Sequence, residues 1–244
     1  MPRFFIKSPP DPDGIICIDG DDARHIALSL RCAVGEKITA LFDGVVYDCE
    51  LETIKPDRVT ARVCGSAQDT AEMACRVTLF VANPKAGKLD LIVQKATELG
   101  VAKIVPFQSE RCVSRPDPGS AEKRRRRLEK IALEAAKQCG RGVVPEIGDT
   151  VDFRCAVKMA AESDIGIIAY EKENAKTLRD VIAGKLGGGV TVAVMTGSEG
   201  GFSPAEAEAA ASAGVVPCGL GGRILRCETA PLYVLAAISY ESEL

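Results

Sequence analysis

The chain has 244 residues, of which 46% are hydrophobic and 27% charged, and its formal net charge at pH 7 is −3. This balance excludes global disorder and a molecule that is basic throughout, so any nucleic-acid surface must be local. The longest apolar runs are too short for a membrane span, and the Met1-Pro2-Arg3 start does not resemble a secretory signal. We therefore expect a cytoplasmic protein of one large or two modest domains that makes no contact with a membrane.

Cysteine and histidine usage gives no metal pattern. The ten cysteines include no Cys-x-x-Cys pair, and the single histidine, His25, supplies no mixed zinc spacing. We interpret the cysteines as reduced thiols that mostly fill the core, and we expect no metal.

Residues 1–72 alternate short β-rich runs with turn signals. The runs fall at 15–18, 37–42, 45–51 and 58–63, and Asp43-Gly44 between two of them is a strong hairpin signal. A helical piece near Asp21–Leu30, capped by Asp21 or Asp22, interrupts the pattern. Its apolar surface is expected from Ile26, Leu28 and Leu30. The pattern predicts a small β-barrel over 1–72, with a linker at 66–74.

From residue 73 to 244 the pattern alternates between strands and helices. Strands are predicted at 77–81, 101–107, 164–170, 190–195 and 215–216. Helices are predicted at 88–99, 121–139 (capped by Ser120), 176–183, 204–213 and 231–242. Ser203, Pro204 and Glu206 form a near-ideal helix start with a capping box. This alternation predicts an α/β domain with a mostly parallel sheet and helices on both faces.

Two glycine-rich segments near the end each follow a strand-like run and precede a helix-like one. They are MTGSEGGFSP at 195–204 and GLGGRILRCETA at 219–230. Two such loops at the carboxyl ends of neighbouring strands would build a small-molecule site, although each alone is equally consistent with a connector. Neither matches the phosphate-binding P-loop or the dinucleotide fingerprint, so nucleoside triphosphates and NAD are disfavoured.

A basic run, Lys123–Arg127, begins the predicted helix at 121–139. Such a run is usually a solvated helical face, but five consecutive cations repel one another, and an anionic partner would relieve that cost. The phosphate backbone of a nucleic acid is the obvious candidate. His25 lies beside Arg24 and could serve as a base, but no nucleophile is near it in sequence, so a structural hydrogen-bonding role or an RNA contact is favoured.

Several strings along the whole chain carry a family resemblance. The most specific are QKATELGV at 94–101 and ILRCETA at 224–230, joined by RFF at 3–5, EAAKQCGR at 134–141 and TGSEGGF at 196–202. With these strings the chain resembles the RsmE-type 16S rRNA (uridine-N3) methyltransferases of the SPOUT superfamily. One departure is that Ser198 stands where the family usually has a proline, which is expected to loosen the loop without abolishing main-chain binding.

The resemblance implies a C-terminal SPOUT α/β domain (73–244) with a deep trefoil knot, preceded by a PUA-like β-barrel (1–72) that helps to grip RNA. It places the knot and the cofactor site within 165–230 and implies S-adenosyl-L-methionine as cofactor. It also implies a homodimer with a shared site, and 16S rRNA in the assembled small ribosomal subunit as substrate. The implied cofactor-binding residues are Tyr170, Glu171, Thr196, Gly197, Glu199, Gly200, Gly201, Leu220, Gly221, Ile224, Leu225 and Arg226.

Charge and the resemblance together predict a set of RNA-binding residues. They are Arg3, Arg24, His25, Arg31, Arg111, Arg124, Arg125, Arg126, Arg127 and Arg141.

The predicted catalytic residues are Arg226, Glu199 and Glu228. Uridine N3 carries a proton at neutral pH, and Arg226 would stabilise the anion left by its removal. Glu199 and Glu228 are the candidate proton acceptors, directly or through water. Each has an alternative role, since Glu199 could brace its loop and Glu228 could sit at the start of the last helix. No metal is needed.

Two rival hypotheses remain at this stage. One is a knotted methyltransferase that acts on tRNA or on another rRNA base. The other is a non-catalytic RNA-binding or assembly factor that has kept the fold.

Overall fold

A computed structural model describes residues 1–85, 87–115, 117–173 and 175–243. The chain forms two compact units: Met1–Glu72 with Ala136–Val143, and Met73–Ala135 with Val144–Leu244. Residues 136–143, which the sequence assigned to the second domain, thus join the first unit. The Lys137 ammonium lies 2.7 Å from an Asp22 carboxylate oxygen, which ties this segment to the first unit.

The first unit contains a five-stranded sheet. Its strands are β1 (Arg3–Phe5), β2 (Ile15–Asp19), β3 (Lys37–Phe42), β4 (Val45–Ile54) and β5 (Arg58–Gln68). They lie in the order β1-β3-β4-β5-β2, and every neighbouring pair is antiparallel except β1 with β3. Within the described residues this hydrogen-bonded order has two ends, so the strand pairing does not close into the predicted barrel. Its core includes Ile16, Ile38, Leu51 and Val59.

The Asp43-Gly44 turn joins β3 to β4 as predicted. Phe42 pairs with Val45, and both central residues have positive φ, +47° at Asp43 and +74° at Gly44. Two positive values in a two-residue loop define the type I′ geometry that suits the twist of a hairpin.

Residues 20–30 are helical, but two details of the prediction are wrong. An α-helix, α1 (Gly20–Arg24), continues into a π-helix over His25–Leu30. The N-cap is Asp19, without a side-chain hydrogen bond, and not Asp21 or Asp22. Of the predicted apolar face only Ile26 is buried, whereas Leu28 and Leu30 are exposed. The wider π turn places Leu28 and Leu30 away from the core side.

The predicted linker at 66–74 begins too early. Residues 66–68 pair with 45–47, so β5 continues to Gln68. All three residues are exposed, so the strand carries no hydrophobic alternation that the sequence could have revealed.

The second unit contains a seven-stranded sheet. Its strands are β6 (Arg76–Ala82), β7 (Lys103–Gln108), β8 (Glu146–Ile147), β9 (Val151–Asp152), β10 (Ile165–Ala169), β11 (Thr191–Thr196) and β12 (Val216–Cys218). Their order is β12-β10-β11-β6-β7-β8, with β9 also paired to β7, and every pair is parallel. The predicted parallel α/β sheet is confirmed.

Helices of the second unit cover this sheet. They are α2 (Lys88–Glu98), α3 (Ala121–Cys139, which ends in the first unit), α4 (Phe153–Ala161), α5 (Leu178–Ile182), α6 (Pro204–Ser212) and α7 (Thr229–Glu243). Alternate residues of β6 point into different cores, Leu79 into one and Phe80 into the other, so both faces are covered. The sequence analysis missed α4, β8 and β9; the two strands have only two residues each.

Helix starts were predicted with mixed success. The capping box of α6 is confirmed, with Ser203 as N-cap, Pro204 in the first turn and Glu206 in reciprocal hydrogen bonds. The bounds of α3 are as predicted, but the Ser120 hydroxyl donates to the Asp117 carbonyl, within a 3₁₀ turn that precedes the helix. Among the described residues, no helix has both the length and the apolar character needed to cross a bilayer.

Candidate active site

The two glycine segments meet in a cavity of about 590 Å³. Its walls come from the loops that follow β10, β11 and β12, together with the first residue of α2. The predicted cofactor-binding residues that line it are Tyr170, Glu171, Gly197, Glu199, Gly200, Gly201, Leu220, Gly221, Ile224, Leu225 and Arg226. Parallel strands bring their carboxyl-end loops to one edge of the sheet, which explains this convergence.

Thr196 is the exception among the predicted cofactor-binding residues. It is the last residue of β11, it is fully buried, and its hydroxyl lies 3.4 Å from the Phe80 carbonyl oxygen of the neighbouring strand. The prediction for Thr196 is therefore corrected, because its side chain faces the sheet and not the cavity.

Other residues of the cavity were not predicted. They are Lys88, Ala169, Ser198, Gly219, Gly222, Arg223, Cys227 and Ala230. Most are neighbours of predicted residues, so extending each loop would have found them. Lys88 has no such signal, because it lies far upstream at the start of α2.

Two glycines of these loops leave no space for a side chain. Gly201 has φ +61°, and a Cβ there would lie 2.9 Å from the Glu171 Oε2 atom. A Cβ on Gly219 would collide with the Glu173 carbonyl oxygen. The main chain at Gly219 therefore packs directly against the backbone of Glu173, whereas Gly201 lies against the Glu171 carboxylate.

Arg111 braces the first glycine loop. Its guanidinium Nη1 donates to the Gly200 carbonyl at 3.0 Å, and its own carbonyl oxygen lies 3.4 Å from the Ser198 hydroxyl. Ser198 is only 5% exposed. The expectation that Ser198 loosens the loop is not supported, because its hydroxyl makes a contact that a proline could not make. Arg111 holds the loop, which differs from the RNA contact that the sequence predicted.

A charged cluster lies at the wall of the cavity, and we call it the Lys88 centre: Lys88, Glu199 and Cys227, which line the cavity, and Glu228, which pairs with Lys88. The Lys88 Nζ atom lies 3.2 Å from Glu199 Oε1, 3.0 Å from Glu228 Oε2 and 3.5 Å from Cys227 Sγ. Glu199 also accepts a hydrogen bond from the backbone N–H of Lys85 at 3.1 Å. One ammonium is thus shared by residues from both glycine segments.

The pKa values of this cluster follow from that sharing. The hydrogen bonds that the Lys88 ammonium donates to Glu228 and, to a smaller extent, to Glu199 raise the pKa of Lys88, so its ammonium stays charged. The hydrogen bond from Lys88 lowers the pKa of Glu228 to about 2. Burial opposes the charged form of Glu199, but backbone donors and Lys88 outweigh it, so its pKa lies below the usual range. Burial raises the pKa of the Cys227 thiol to about 12.

Arg226 is placed differently from these carboxylates. Its carbonyl oxygen accepts hydrogen bonds from Thr229 and Ala230, at 2.8 and 2.9 Å, which begins helix α7. Its side chain is exposed and lines the cavity. The main chain of Arg226 is therefore held at the start of α7, whereas its side chain is exposed on a residue that lines the cavity.

We call Lys123–Arg127 the arginine run, and most of its charges have partners within the chain. The Arg124 Nη2 atom donates to the buried Asn83 Oδ1 atom at 2.8 Å, and burial lowers the pKa of Arg124. The other pairs, with Asp149, Glu122 and Asp90, are made by Arg125, Arg126 and Arg127 respectively. Arg126 and Arg127 nevertheless remain exposed, with 72% and 58% of their side chains accessible.

Of the predicted RNA-binding residues in the first unit, three are exposed and two serve the fold. Arg24, His25 and Arg31 are exposed, and the His25 ring contacts Phe4 edge-on at 6.5 Å. Arg141 is 3% exposed and its guanidinium pairs with Glu72, which removes it from the candidate RNA surface. The Arg3 guanidinium donates to the Gly140 carbonyl.

The cavity fits S-adenosylmethionine in size and lining. Its volume lies within the usual range for small-molecule sites, about 300–1,000 Å³. Main-chain groups of the glycine loops can meet polar edges of the cofactor, Leu220 and Leu225 offer apolar contact, and Glu171 offers an acceptor. Within the described part of the chain, no three His, Cys, Asp or Glu side chains are grouped as metal ligands.

Comparison with known proteins agrees with this architecture. The model of the RNA methyltransferase PUA domain matches residues 18–64, and that of the RNA methyltransferase domain matches 71–239. Ribosomal RNA small subunit methyltransferase E of Bacillus subtilis is 37% identical over 100% of this chain and 98% of its own length. The protein of that name from Mycobacterium bovis is 28% identical over 96% of this chain and 90% of its own.

A solved structure is similar over almost the whole chain. It is a ribosomal RNA small subunit methyltransferase E from Neisseria gonorrhoeae bound to S-adenosyl methionine, with 30% identity and a TM-score of 0.84. The similarity covers 98% of this chain and 96% of that one. A PUA-like domain followed by an α/β domain with a glycine-loop cavity defines the class of RNA methyltransferases. Within that class, the chain belongs to the family of ribosomal RNA small subunit methyltransferase E.

Proposed function

We propose that this protein uses S-adenosylmethionine to methylate N3 of a uridine in 16S rRNA of the small ribosomal subunit. The observation that carries the proposal is the cavity between the two glycine loops, which Arg226 helps to line, in a chain of this family. When bound, S-adenosylmethionine supplies an electrophilic methyl group. The chain's own residues must bind the cofactor, orient the uridine and accept the proton that N3 loses.

Arg226 is the residue proposed to stabilise the reacting uracil. Loss of the N3 proton spreads negative charge onto O2 and O4, and a guanidinium that donates to one of these oxygens stabilises the anion while N3 stays free to attack the methyl group. The exposed Arg226 side chain in the cavity is available for this contact. Fixed donors aimed at developing charge are worth about 3–4 kcal/mol each in comparable sites.

Glu199 is a better candidate proton acceptor than Glu228. A carboxylate whose pKa is about 2 holds a proton poorly, and Glu228 is in that position because of Lys88. Glu228 directly precedes α7, where a negative charge also favours the helix N-terminus. We therefore assign Glu228 the structural alternative, and keep Glu199 as the acceptor, directly or through water.

The proposed RNA contacts lie on both units. In the first unit the candidates are the exposed Arg24, His25 and Arg31, on the segment that includes α1 and the π-helix. In the second unit they are the accessible arginines of the arginine run. We propose the assembled small ribosomal subunit, in the cytoplasm, as the substrate.

We also propose that the second unit contains the deep trefoil knot of the SPOUT superfamily. Support comes from the position of Gly219, whose N–H donates to Lys176 O and whose carbonyl accepts from Leu178 N. The Tyr170 N–H likewise donates to Cys218 O. The end of β12 is therefore held against the loop that follows β10, the region in which the family resemblance places the knot.

A homodimer is proposed from the outer face of α7. Tyr233, Ala236 and Tyr240 are exposed at helical spacing on a helix that is apolar on its other sides. Leu91 of α2, the helix that packs against α7, is also exposed. Sedimentation of the wild type as a dimer and of Tyr233→Glu as a monomer would support this interface; a monomeric wild type would refute the dimer.

The function is tested by identifying the modified nucleoside. Small subunits lacking the modification are incubated with the protein and S-adenosylmethionine, and the digested rRNA is analysed by mass spectrometry. N3-methyluridine is the expected product. Methylation of tRNA or of another rRNA base would instead support the first rival hypothesis, and a protein that does not bind the cofactor in a calorimetric titration would support the assembly-factor hypothesis.

A further inference from the structure

Lys88 occupies an unusual place for a cation. It is the first residue of α2, directly after Gly87, which has a left-handed conformation at φ +78°. The N-terminal end of a helix carries partial positive charge, so a lysine there is unfavourable unless carboxylates compensate it. Two carboxylates do so here, Glu199 and Glu228. The side chains of Lys88 and both glutamates are each less than about one-third exposed.

The partners of Lys88 come from both loops of the cavity. Glu199 belongs to the loop after β11, whereas Cys227 and Glu228 belong to the segment between β12 and α7. Those two strands are not neighbours, because β10 lies between them. An ammonium has three donor hydrogens, and the three contacts of Lys88 match that number.

We propose that Lys88 is a positioning residue that holds the two glycine loops at the spacing that cofactor binding requires. Its role rests on the proposed function, because the cavity is taken as the cofactor site. Lys88 acts through Glu199, Cys227 and Glu228. Without the ammonium, two like charges face each other across the cavity wall and push the loops apart.

The test compares Lys88→Met with Lys95→Met. Lys95 lies on the same helix and pairs with Glu98, outside the cavity, so it is a matched loss of one paired lysine. In the absence of cofactor, the rate of backbone amide hydrogen exchange should rise at residues 197–201 and 219–228 in Lys88→Met. In Lys95→Met the rate in these loops should equal that of the wild type. The dissociation constant for S-adenosylmethionine should rise roughly tenfold in Lys88→Met only, within the usual range for coupled sites.

A pH series separates this role from simple packing. Glu228 has a lowered pKa, so the stability that its pair with Lys88 contributes is present above the usual carboxyl value of 4.5 and is lost as pH falls towards about 2. The stability difference between wild type and Lys88→Met should shrink over that window. Lys88→Arg, which keeps the charge, should recover most of the cofactor affinity.

Each outcome has a distinct meaning. If wild-type protein does not bind S-adenosylmethionine, the proposed function fails. If wild type binds it and Lys88→Met equals Lys95→Met in affinity and loop exchange, the positioning role is overturned. A stability difference that does not change with pH would also overturn it, because it would show that the charge of Glu228 is not involved.

Discussion

The Lys88 centre and the arginine run are both dense in charge, yet they are built in opposite ways. In the Lys88 centre one ammonium serves two carboxylates from distant loops, in the wall of a cavity. In the arginine run each guanidinium has its own acceptor, and the side chains of Arg126 and Arg127 are largely exposed. Exposed pairs are screened and contribute little, whereas a shared, partly enclosed cation couples the segments that it joins. Charge density along a sequence therefore does not indicate where charge matters most.

The largest effect should come from Arg226, which lines the cavity outside the Lys88 centre. Arg226→Ala should lower kcat about 10²–10³-fold and change the affinity for S-adenosylmethionine little, because the guanidinium is needed for the uracil anion. Single-turnover kinetics and calorimetry separate these two quantities. Arg223→Ala, a neighbouring cavity arginine, is the control. Equal losses of kcat and affinity in Arg226→Ala would make it a loop brace.

The next effect concerns the loop geometry on which the cavity depends. Gly201→Ala should weaken S-adenosylmethionine binding about tenfold, because a Cβ at φ +61° is strained and meets Glu171. Gly184→Ala is a control with positive φ and open space, outside the cavity. If calorimetry shows that Gly201→Ala binds S-adenosylmethionine as tightly as the wild type does, the loop adapts freely to a side chain. The cavity would then tolerate substitution as readily as the exposed part of the arginine run.

Within the arginine run, burial should matter more than charge. Arg124→Met should lower the Tm by about 2–4 °C, because it leaves the Oδ1 atom of the buried Asn83 without its donor. Arg126→Met should leave the Tm almost unchanged, since its pair with Glu122 is exposed. Calorimetric unfolding of both variants measures this, and equal Tm values would contradict the distinction.

The double variant Lys123→Gln/Arg126→Gln should change the stability of the fold least, but it should clearly weaken RNA binding. It should bind small ribosomal subunits more weakly, and the dependence of log Kd on log salt should flatten by up to about 2, one for each phosphate that the variant no longer neutralises. A filter-binding salt titration measures this slope. An unchanged slope would remove Lys123 and Arg126 from the RNA surface.

Local sequence signals predicted the parts of the fold that local interactions determine. The capping box at Ser203 and the Asp43-Gly44 turn are formed by residues a few positions apart, and both are confirmed. The glycine segments were recognisable because glycine itself indicates where the backbone needs a positive φ or a close approach. In contrast, β8 and β9 are too short for any periodicity.

The rest depended on contacts between distant residues. Lys88 and Cys227 are 139 positions apart, and no spacing rule connects them. The acceptor that orients Arg124 is Asn83, 41 positions away, so the run looked freer in sequence than it is. Burial of Arg141 against Glu72 was invisible for the same reason. The glycine residues predicted the cavity, but only the fold shows which charged side chains pair with one another around it.

The most direct test of the account is methyl transfer itself. Protein and methyl-labelled S-adenosylmethionine are incubated with small ribosomal subunits that lack the modification and, in parallel, with protein-free 16S rRNA. The account predicts label in the 16S rRNA of the subunits as N3-methyluridine, at a higher rate than in naked rRNA. Absence of label from both, with protein that binds the cofactor, would contradict it.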